Sequence, residues 1–114
     1  MDKEQFQLRN KIADLMDYLF PQVDKFPRVE KFAACTQIKN CVYRMAQQAI
    51  RVQRRPPAEK PAEVRELDLE IEFLRELLRH AHERQWLKHR AHKTSFSKIS
   101  EIGKMTGALM RRYP

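Results

Sequence analysis

The stretch VRELDLEIEFLRELLRHA, residues 64–81, decides the fold class of this chain. Its heptad positions, spaced alternately by three and four residues, are Val64, Leu67, Ile71, Leu74, Leu78 and Ala81. This spacing is typical of α-helices packed in a bundle. Three further apolar residues widen the stripe: Leu69, Phe73 and Leu77. The wide stripe predicts a helix buried on two sides, inside the bundle and against another subunit.

The same periodicity of three and four residues recurs along the rest of the chain. It predicts four helices, over residues 3–20, 28–54, 62–89 and 95–112. Thr94, Ser95 and Ser97 are candidate N-caps of the last helix. With 114 residues, only two of them glycine, the sequence indicates one all-α domain spanning residues 1–114.

Prolines mark the connections between the helices, because proline cannot continue a helix. Pro21 and Pro27 separate the first helix from the second, and a proline-rich turn over residues 55–61 separates the second from the third. Short connections make neighbouring helices antiparallel, so we expect an up-down-up-down four-helix bundle.

The net charge of +8 is unevenly distributed. Residues 26–55, 77–93 and 94–114 are basic, whereas residues 62–76 are acidic. One basic stripe on a helix is most often only solvated, but three basic segments favour a site for a polyanion or an acidic surface. Tyr43 and Trp86 are the candidates for base stacking, although both residue types are also common at core and interface positions.

No residue pattern indicates catalysis, a cofactor or a metal. The sequence has no phosphate-binding glycine loop and no nucleophile elbow. The histidines cluster at His80, His82, His89 and His92, but no cysteine or carboxylate pair completes a metal site, so we interpret them as a solvated basic helix end. Cys35 and Cys41 are expected to be small buried residues in a reducing cytoplasm.

One enzyme alternative remains open. Residues 8–17 look like the first helix of all-helical chorismate mutases. That family needs several further cationic groups and a Glu or Gln converging on a dianion. The acidic spacing at Asp14 and Asp17 is ordinary for any amphipathic helix, and we expect no chorismate turnover by the purified chain.

Two motifs carry a resemblance to a known family. Phe26-Pro27-Arg28, followed by a helix with Gln37-Ile38, resembles the start of the second helix of the accessory variability determinant (Avd) proteins of diversity-generating retroelements. Residues 101–107, EIGKMTG, resemble the last-helix motif of that family. The chain departs from it at Ala108-Leu109, where the family usually has a tryptophan. Four-helix proteins encoded in ribosomal RNA intervening sequences share the bundle and are the alternative assignment.

The resemblance implies a specific role. Avd proteins form a homopentameric barrel of bundles, bind the reverse transcriptase of the retroelement and associate with nucleic acid, and they catalyse nothing. We therefore expect a cytoplasmic, non-enzymatic accessory protein without a cofactor. A neighbouring reverse transcriptase gene and repeat pair would favour this assignment over the intervening-sequence type.

Candidate site residues follow from the basic segments. Exposed cations that contact phosphate or an acidic partner are expected at Arg28, Arg44, Arg51, Arg54, Arg55, Arg79, Arg84, Lys88, Arg90, Lys104, Arg111 and Arg112. Phosphate contacts carry little sequence information. Gly103 and Gly107, four residues apart in the last helix, are expected to leave a groove for close helix packing.

Overall fold

The computed structural model describes residues 3–114, so the first two residues of the predicted domain lie outside the described part. Its helices are α1 (Lys3–Val23), α2 (Ala34–Arg54), α3 (Lys60–Glu83) and α4 (His89–Arg112), with a short 3-10 helix at Arg28–Glu30 between α1 and α2. Residues 3–114 contain no strand.

Each helix packs antiparallel against its neighbours in the chain, and α1 also packs against α4. Arg9 near the start of α1 donates a 2.7 Å hydrogen bond to Gln53 at the end of α2. Lys11 of α1 lies 2.9 Å from Glu101 in the second half of α4. The described residues therefore form the antiparallel up-down-up-down bundle that the periodicity predicted.

The heptad positions form the core. All six heptad residues of the 64–81 stretch are buried, together with the matching positions of the other three helices, which include Leu8, Ile38 and Ile102. Fully burying one such Leu or Ile side chain contributes roughly 1.5–3 kcal/mol of hydrophobic stabilisation. The core therefore lies between the four helices and is formed by all of them.

The predicted end of the first helix and the predicted start of the second were wrong, whereas the predicted end of the second, residue 54, is confirmed. α1 runs through Pro21 to Val23 instead of ending at residue 20. Pro21 is exposed and lies in the last turn of the helix, where its missing N–H removes only one backbone hydrogen bond. α2 begins at Ala34 instead of residue 28, because Pro27 leads into the 3-10 helix and Ala33 has a non-helical backbone.

The boundaries around the last two helices were also predicted wrongly. α3 begins at Lys60, not residue 62, since proline is tolerated in the first turn of a helix. It ends at Glu83, not 89, because Gln85 adopts the left-handed conformation (φ 65°) and the Trp86 N–H bonds back to the Ala81 carbonyl.

α4 consequently begins at His89 instead of residue 95. The predicted N-caps Thr94, Ser95 and Ser97 all lie inside α4. The N-cap residue is Lys88, whose side chain makes no capping hydrogen bond. The helix-stop signal was missed because Gln85 occupies the position where glycine is usual.

Candidate functional site

The bundle has two different ends, separated along its 44 Å long axis. At one, which we call the two-loop end, the α1–α2 connection lies beside the α3–α4 connection. At the other, the one-loop end, the α2–α3 connection lies beside the start of α1 and the end of α4. Ten of the twelve predicted cations lie at these two ends.

All twelve cations predicted as site residues are exposed. The two-loop end carries Arg28, Arg79, Arg84, Lys88 and Arg90. Arg79 is paired with Glu76 at 2.8 Å, and the Arg84 guanidinium lies 5.7 Å from the centre of the Trp86 ring. Within residues 3–114, none of the other three forms an ion pair, so their charge is available to an anion.

The one-loop end carries Arg51, Arg54, Arg55, Arg111 and Arg112. Arg51 donates a 3.2 Å hydrogen bond to Gln48, and Arg112 lies 3.7 Å from Glu4. Arg54, Arg55 and Arg111 make no ion pair with any described residue. This end is therefore a second cationic surface, about the length of the bundle away from the first.

Two predicted residues lie between the ends. Lys104 is exposed on α4, whereas Arg44 pairs at 2.8 Å with Glu70 of α3. The Arg44 charge is thus largely offset by a carboxylate of the same chain. The structure does not combine the twelve predicted cations into one patch, and Arg44 contributes least to either surface.

A buried lysine that the sequence analysis did not single out fixes the one-loop end. Lys60 is 7% exposed, and its ammonium donates hydrogen bonds to the carbonyls of Val52 and Gln53 in the last turn of α2 and to the side chain of Gln5. A cation is favoured at a helix C-terminus, where unpaired carbonyls carry negative partial charge. Lys60 therefore holds α1, α2 and α3 together below the cationic surface.

The two glycines of α4 line an open groove of about 440 Å³ between α3 and α4. The nearest atoms to a Cβ on either residue belong to arginine side chains, Arg75 for Gly103 and Arg111 for Gly107. Within the described chain, no helix occupies this groove. The predicted close helix packing at these glycines is therefore not found inside one chain.

The histidine cluster lies where α3 ends and α4 begins. The rings of His82 and His92 stack with their centres 4.2 Å apart, and His89 lies 5.7 Å from His82. Burial lowers the pKa of His92, and the neighbouring His82, His89 and Arg79 lower it further. Across residues 3–114, no three His, Cys, Asp or Glu side chains converge to hold a metal ion.

Both cysteines are buried as predicted. Burial raises the pKa of the Cys41 thiol to about 12, with the Glu70 carboxylate raising it further. Burial also raises the pKa of Cys35. Because the thiolate is the reactive form, neither side chain is activated as a nucleophile at neutral pH.

The comparison with protein families decides the relationship. A family model described as bAvd-like matches residues 6–113, almost the whole chain and all four helices. The chain belongs to the bAvd-like family. A search of curated proteins finds no match. The resemblance noted at the last-helix motif and at Phe26-Pro27-Arg28 is thereby confirmed at the level of the family.

The bAvd-like bundle has an apolar groove of about 260 Å³ along the outside of α1 and α2. We call this surface the α1–α2 groove; its apolar lining residues are Phe6, Ala13, Met16, Ala46 and Ile50. Phe20 and Tyr43 extend it towards the two-loop end, their rings in edge-to-face contact at 5.2 Å. Phe6, Ile50 and Tyr43 are each more than two-fifths exposed, which leaves a continuous apolar surface uncovered.

A second apolar surface lies on the outer side of α3, away from the α1–α2 groove. Leu69 is 62% exposed and Phe73 is 43% exposed, and the two are neighbours one turn apart. We call this pair the α3 patch. The sequence predicted this widened stripe, and the structure confirms that the patch faces away from the core.

None of the helices described in residues 3–114 of this bAvd-like protein has the length and apolar character needed to cross a membrane. Its exposed apolar residues are grouped in two separate surfaces and at one corner of the two-loop end. Surfaces of this kind, rimmed by charged residues, are characteristic of sites that contact other macromolecules.

Proposed function

We propose that this chain is a non-enzymatic accessory protein of a diversity-generating retroelement, which binds the reverse transcriptase and nucleic acid during mutagenic retrohoming. Membership of the bAvd-like family over residues 6–113 is the observation that carries the proposal. The two cationic ends supply surfaces for template RNA or cDNA and for an acidic face of the polymerase.

Nucleic acid contacts this protein mainly through phosphates. Nine of the twelve predicted cations are exposed without an ion pair among the described residues: Arg28, Arg51, Arg54, Arg55, Arg84, Lys88, Arg90, Lys104 and Arg111. Each phosphate contact releases counterions, so affinity falls steeply as salt rises. Arginine side chains fit phosphate oxygens in a bidentate geometry.

The one-loop end offers the sharper charge test, because Arg54, Arg55 and Arg111 lie on exposed helix ends and reversing them disturbs no ion pair. Fluorescence anisotropy of a labelled RNA should show weaker binding by R54E/R55E/R111E and a smaller salt dependence. The matched control R54K/R55K/R111K keeps the positive charge at the same three positions and should bind far more tightly than the triple charge reversal. Equal affinity of R54E/R55E/R111E and the wild type would exclude this end as a nucleic-acid surface.

The assembly in this proposal is a homopentameric ring. Its support is the pair of dissimilar apolar surfaces on one chain, which fits head-to-tail contact between copies. Arg9 lines the α1–α2 groove, whereas the exposed Glu66 lies on α3 one turn before the α3 patch, and Glu72 is paired with Arg75 at 3.0 Å. The apolar residues of the patch would meet the apolar lining of the groove when the groove of one copy receives the patch of the next.

A mixing experiment tests the head-to-tail contact. I50E disables the groove and F73E disables the patch, so each variant alone should lose the assembled mass in light scattering. A mixture keeps one intact groove and one intact patch, and should form a heterodimer. Failure of the mixture to associate, with both variants folded by circular dichroism, would contradict the pairing of these two surfaces.

Binding to the polymerase is tested separately, with the reverse transcriptase of the same retroelement immobilised and the wild-type chain applied at about 0.15 M salt. Retention is expected, and it should decrease as salt is raised because the contact is electrostatic. Absence of retention at low salt would remove the polymerase from the proposal and leave a nucleic-acid-binding bundle.

A further inference from the structure

The corner where α1 turns into α2 has an aromatic ring that residues 3–114 leave almost fully exposed. Phe32 is 87% exposed and its neighbour Val29 is 84% exposed. The corner forms a cavity of about 510 Å³, lined in part by Phe26, Arg28 and Lys31. Phe32, Val29 and the apolar side of the cavity form one exposed apolar surface rimmed by charged residues, which is characteristic of a site that contacts another molecule.

The corner is held in place by its surroundings. Phe26 is buried against Trp86, with ring centres 6.1 Å apart, and so joins the corner to the α3–α4 connection. Lys39 bonds Asp24 at 2.6 Å across the cavity, and the Thr36 hydroxyl donates a 3.0 Å hydrogen bond to the Lys31 carbonyl. Phe32 is therefore presented on an ordered turn.

Cations surround the exposed ring. The Lys31 ammonium lies 5.5 Å from the centre of the Phe32 ring, and Arg28 is exposed on the adjoining 3-10 helix. Lys25 and Lys88 extend the positive charge across the end of the bundle beside Trp86. The acidic groups at the corner are Asp24, which Lys39 neutralises, and Glu30, so the local charge remains positive.

We infer that the Phe32 corner binds one unpaired base of single-stranded nucleic acid, with the base stacked on Phe32 and the flanking phosphates on Arg28 and Lys31. An aromatic face beside cations provides the two interactions that sequence-tolerant single-strand binding requires. Bases in a duplex are already stacked on each other, so the corner discriminates against double strands. This inference rests on the proposed function and assigns a place for the nucleic acid.

Anisotropy with three labelled RNA probes tests the stacking: a 12-nucleotide oligouridine, the same strand with abasic central positions, and a duplex of equal length. The wild type should prefer the intact strand to the abasic strand. F32A should bind the intact strand about tenfold more weakly, the usual effect of removing one stacking side chain, and bind the other two unchanged. F32Y should restore the preference, whereas F32L, apolar but not aromatic, should not.

The outcomes distinguish failure of the proposed nucleic-acid binding from failure of the stacking inference alone. If the wild type binds none of the probes, the nucleic-acid part of the proposed function fails and the stacking inference fails with it. If the wild type binds and F32A or F32L keeps the full preference for the intact strand, the stacking inference alone is overturned. Loss of reverse transcriptase binding in F32A with unchanged RNA binding would also overturn it and assign the corner to the polymerase. Because Phe32 is exposed, the variants should fold normally, which circular dichroism checks.

Discussion

The Nη2 atom of Arg75 lies 2.8 Å from the position that a Cβ on Gly103 would occupy. One turn later, the nearest atom to a Cβ on Gly107 is Arg111 Nη1, at an ordinary contact distance of 3.7 Å. The two glycines of α4 thus differ: a Cβ on Gly103 would be too close to an arginine of α3, whereas a Cβ on Gly107 would fit at an ordinary contact distance.

This difference predicts the effects of alanine at the two positions. Alanine is favoured over glycine inside a helix by about 1 kcal/mol, so G107A should raise the free energy of unfolding by up to that amount. G103A should raise it less, because the guanidinium of Arg75 must move aside. Urea unfolding followed by circular dichroism measures both. A loss of assembled mass in either variant would show instead that a helix of another copy occupies the groove.

Replacing Lys60 with methionine should destabilise the bundle. The ammonium of Lys60 satisfies two carbonyls at the end of α2, and methionine would leave these buried acceptors unpaired at a cost of roughly 1–3 kcal/mol. Urea unfolding of K60M measures the loss. K93M, which changes an exposed lysine of α4, is the matched control and should be neutral. Equal stability of K60M and K93M would contradict the anchoring role of Lys60.

Acid should weaken the α3–α4 junction through His92. Its pKa is lowered in the folded chain, so the unfolded chain takes up a proton more readily as pH falls below the ordinary value of about 6.5. The contribution of His92 to the free energy of unfolding is therefore fully present above about pH 6.5 and decreases as the pH falls towards the lowered pKa of the folded chain. Thermal unfolding between about pH 7.5 and 5.5 should show a smaller decrease for H92Q than for the wild type. Identical pH profiles would count against the burial of His92.

The thiols should react slowly in the folded chain. Cys41 has no exposed surface and a pKa raised to about 12, while Cys35 is 8% exposed. Alkylation with iodoacetamide at about pH 8, followed by mass spectrometry, should label Cys35 before Cys41, and both should react far faster in urea. Rapid labelling of Cys41 without denaturant would show that the α2–α3 contact opens readily.

Much of the fold could be predicted because it depends on repeated local spacing. The heptad over residues 64–81 determined which face of α3 is buried. Of the residues that widen the stripe, Leu69 and Phe73 are exposed on the single chain and Leu77 packs partly against the core. Burial of this stripe against another subunit stays a prediction. The helix boundaries depend on single residues in context. Gln85 ends α3 in the left-handed conformation, and the Trp86 N–H bonds back to the Ala81 carbonyl, although glutamine carries no stop signal.

Less of the candidate site than of the fold could be predicted from the sequence. Charge patterning correctly placed the cations on the surface, but their division between two ends and the pairing of Arg44 with Glu70 depend on how the helices associate. Phe32 was not among the predicted candidates for base stacking, which were Tyr43 and Trp86. Its exposure follows from the unpredicted turn before Ala34.

The central claim is that this chain is an assembled accessory subunit of a reverse transcriptase complex. The most direct measurement is the absolute mass, by light scattering coupled to gel filtration, of the purified chain before and after mixing with the reverse transcriptase of its retroelement. For the purified chain alone we expect a mass of about five times 13.7 kDa. After mixing we expect one heavier peak that contains both proteins. A monomer or dimer that elutes apart from the reverse transcriptase would contradict the central claim.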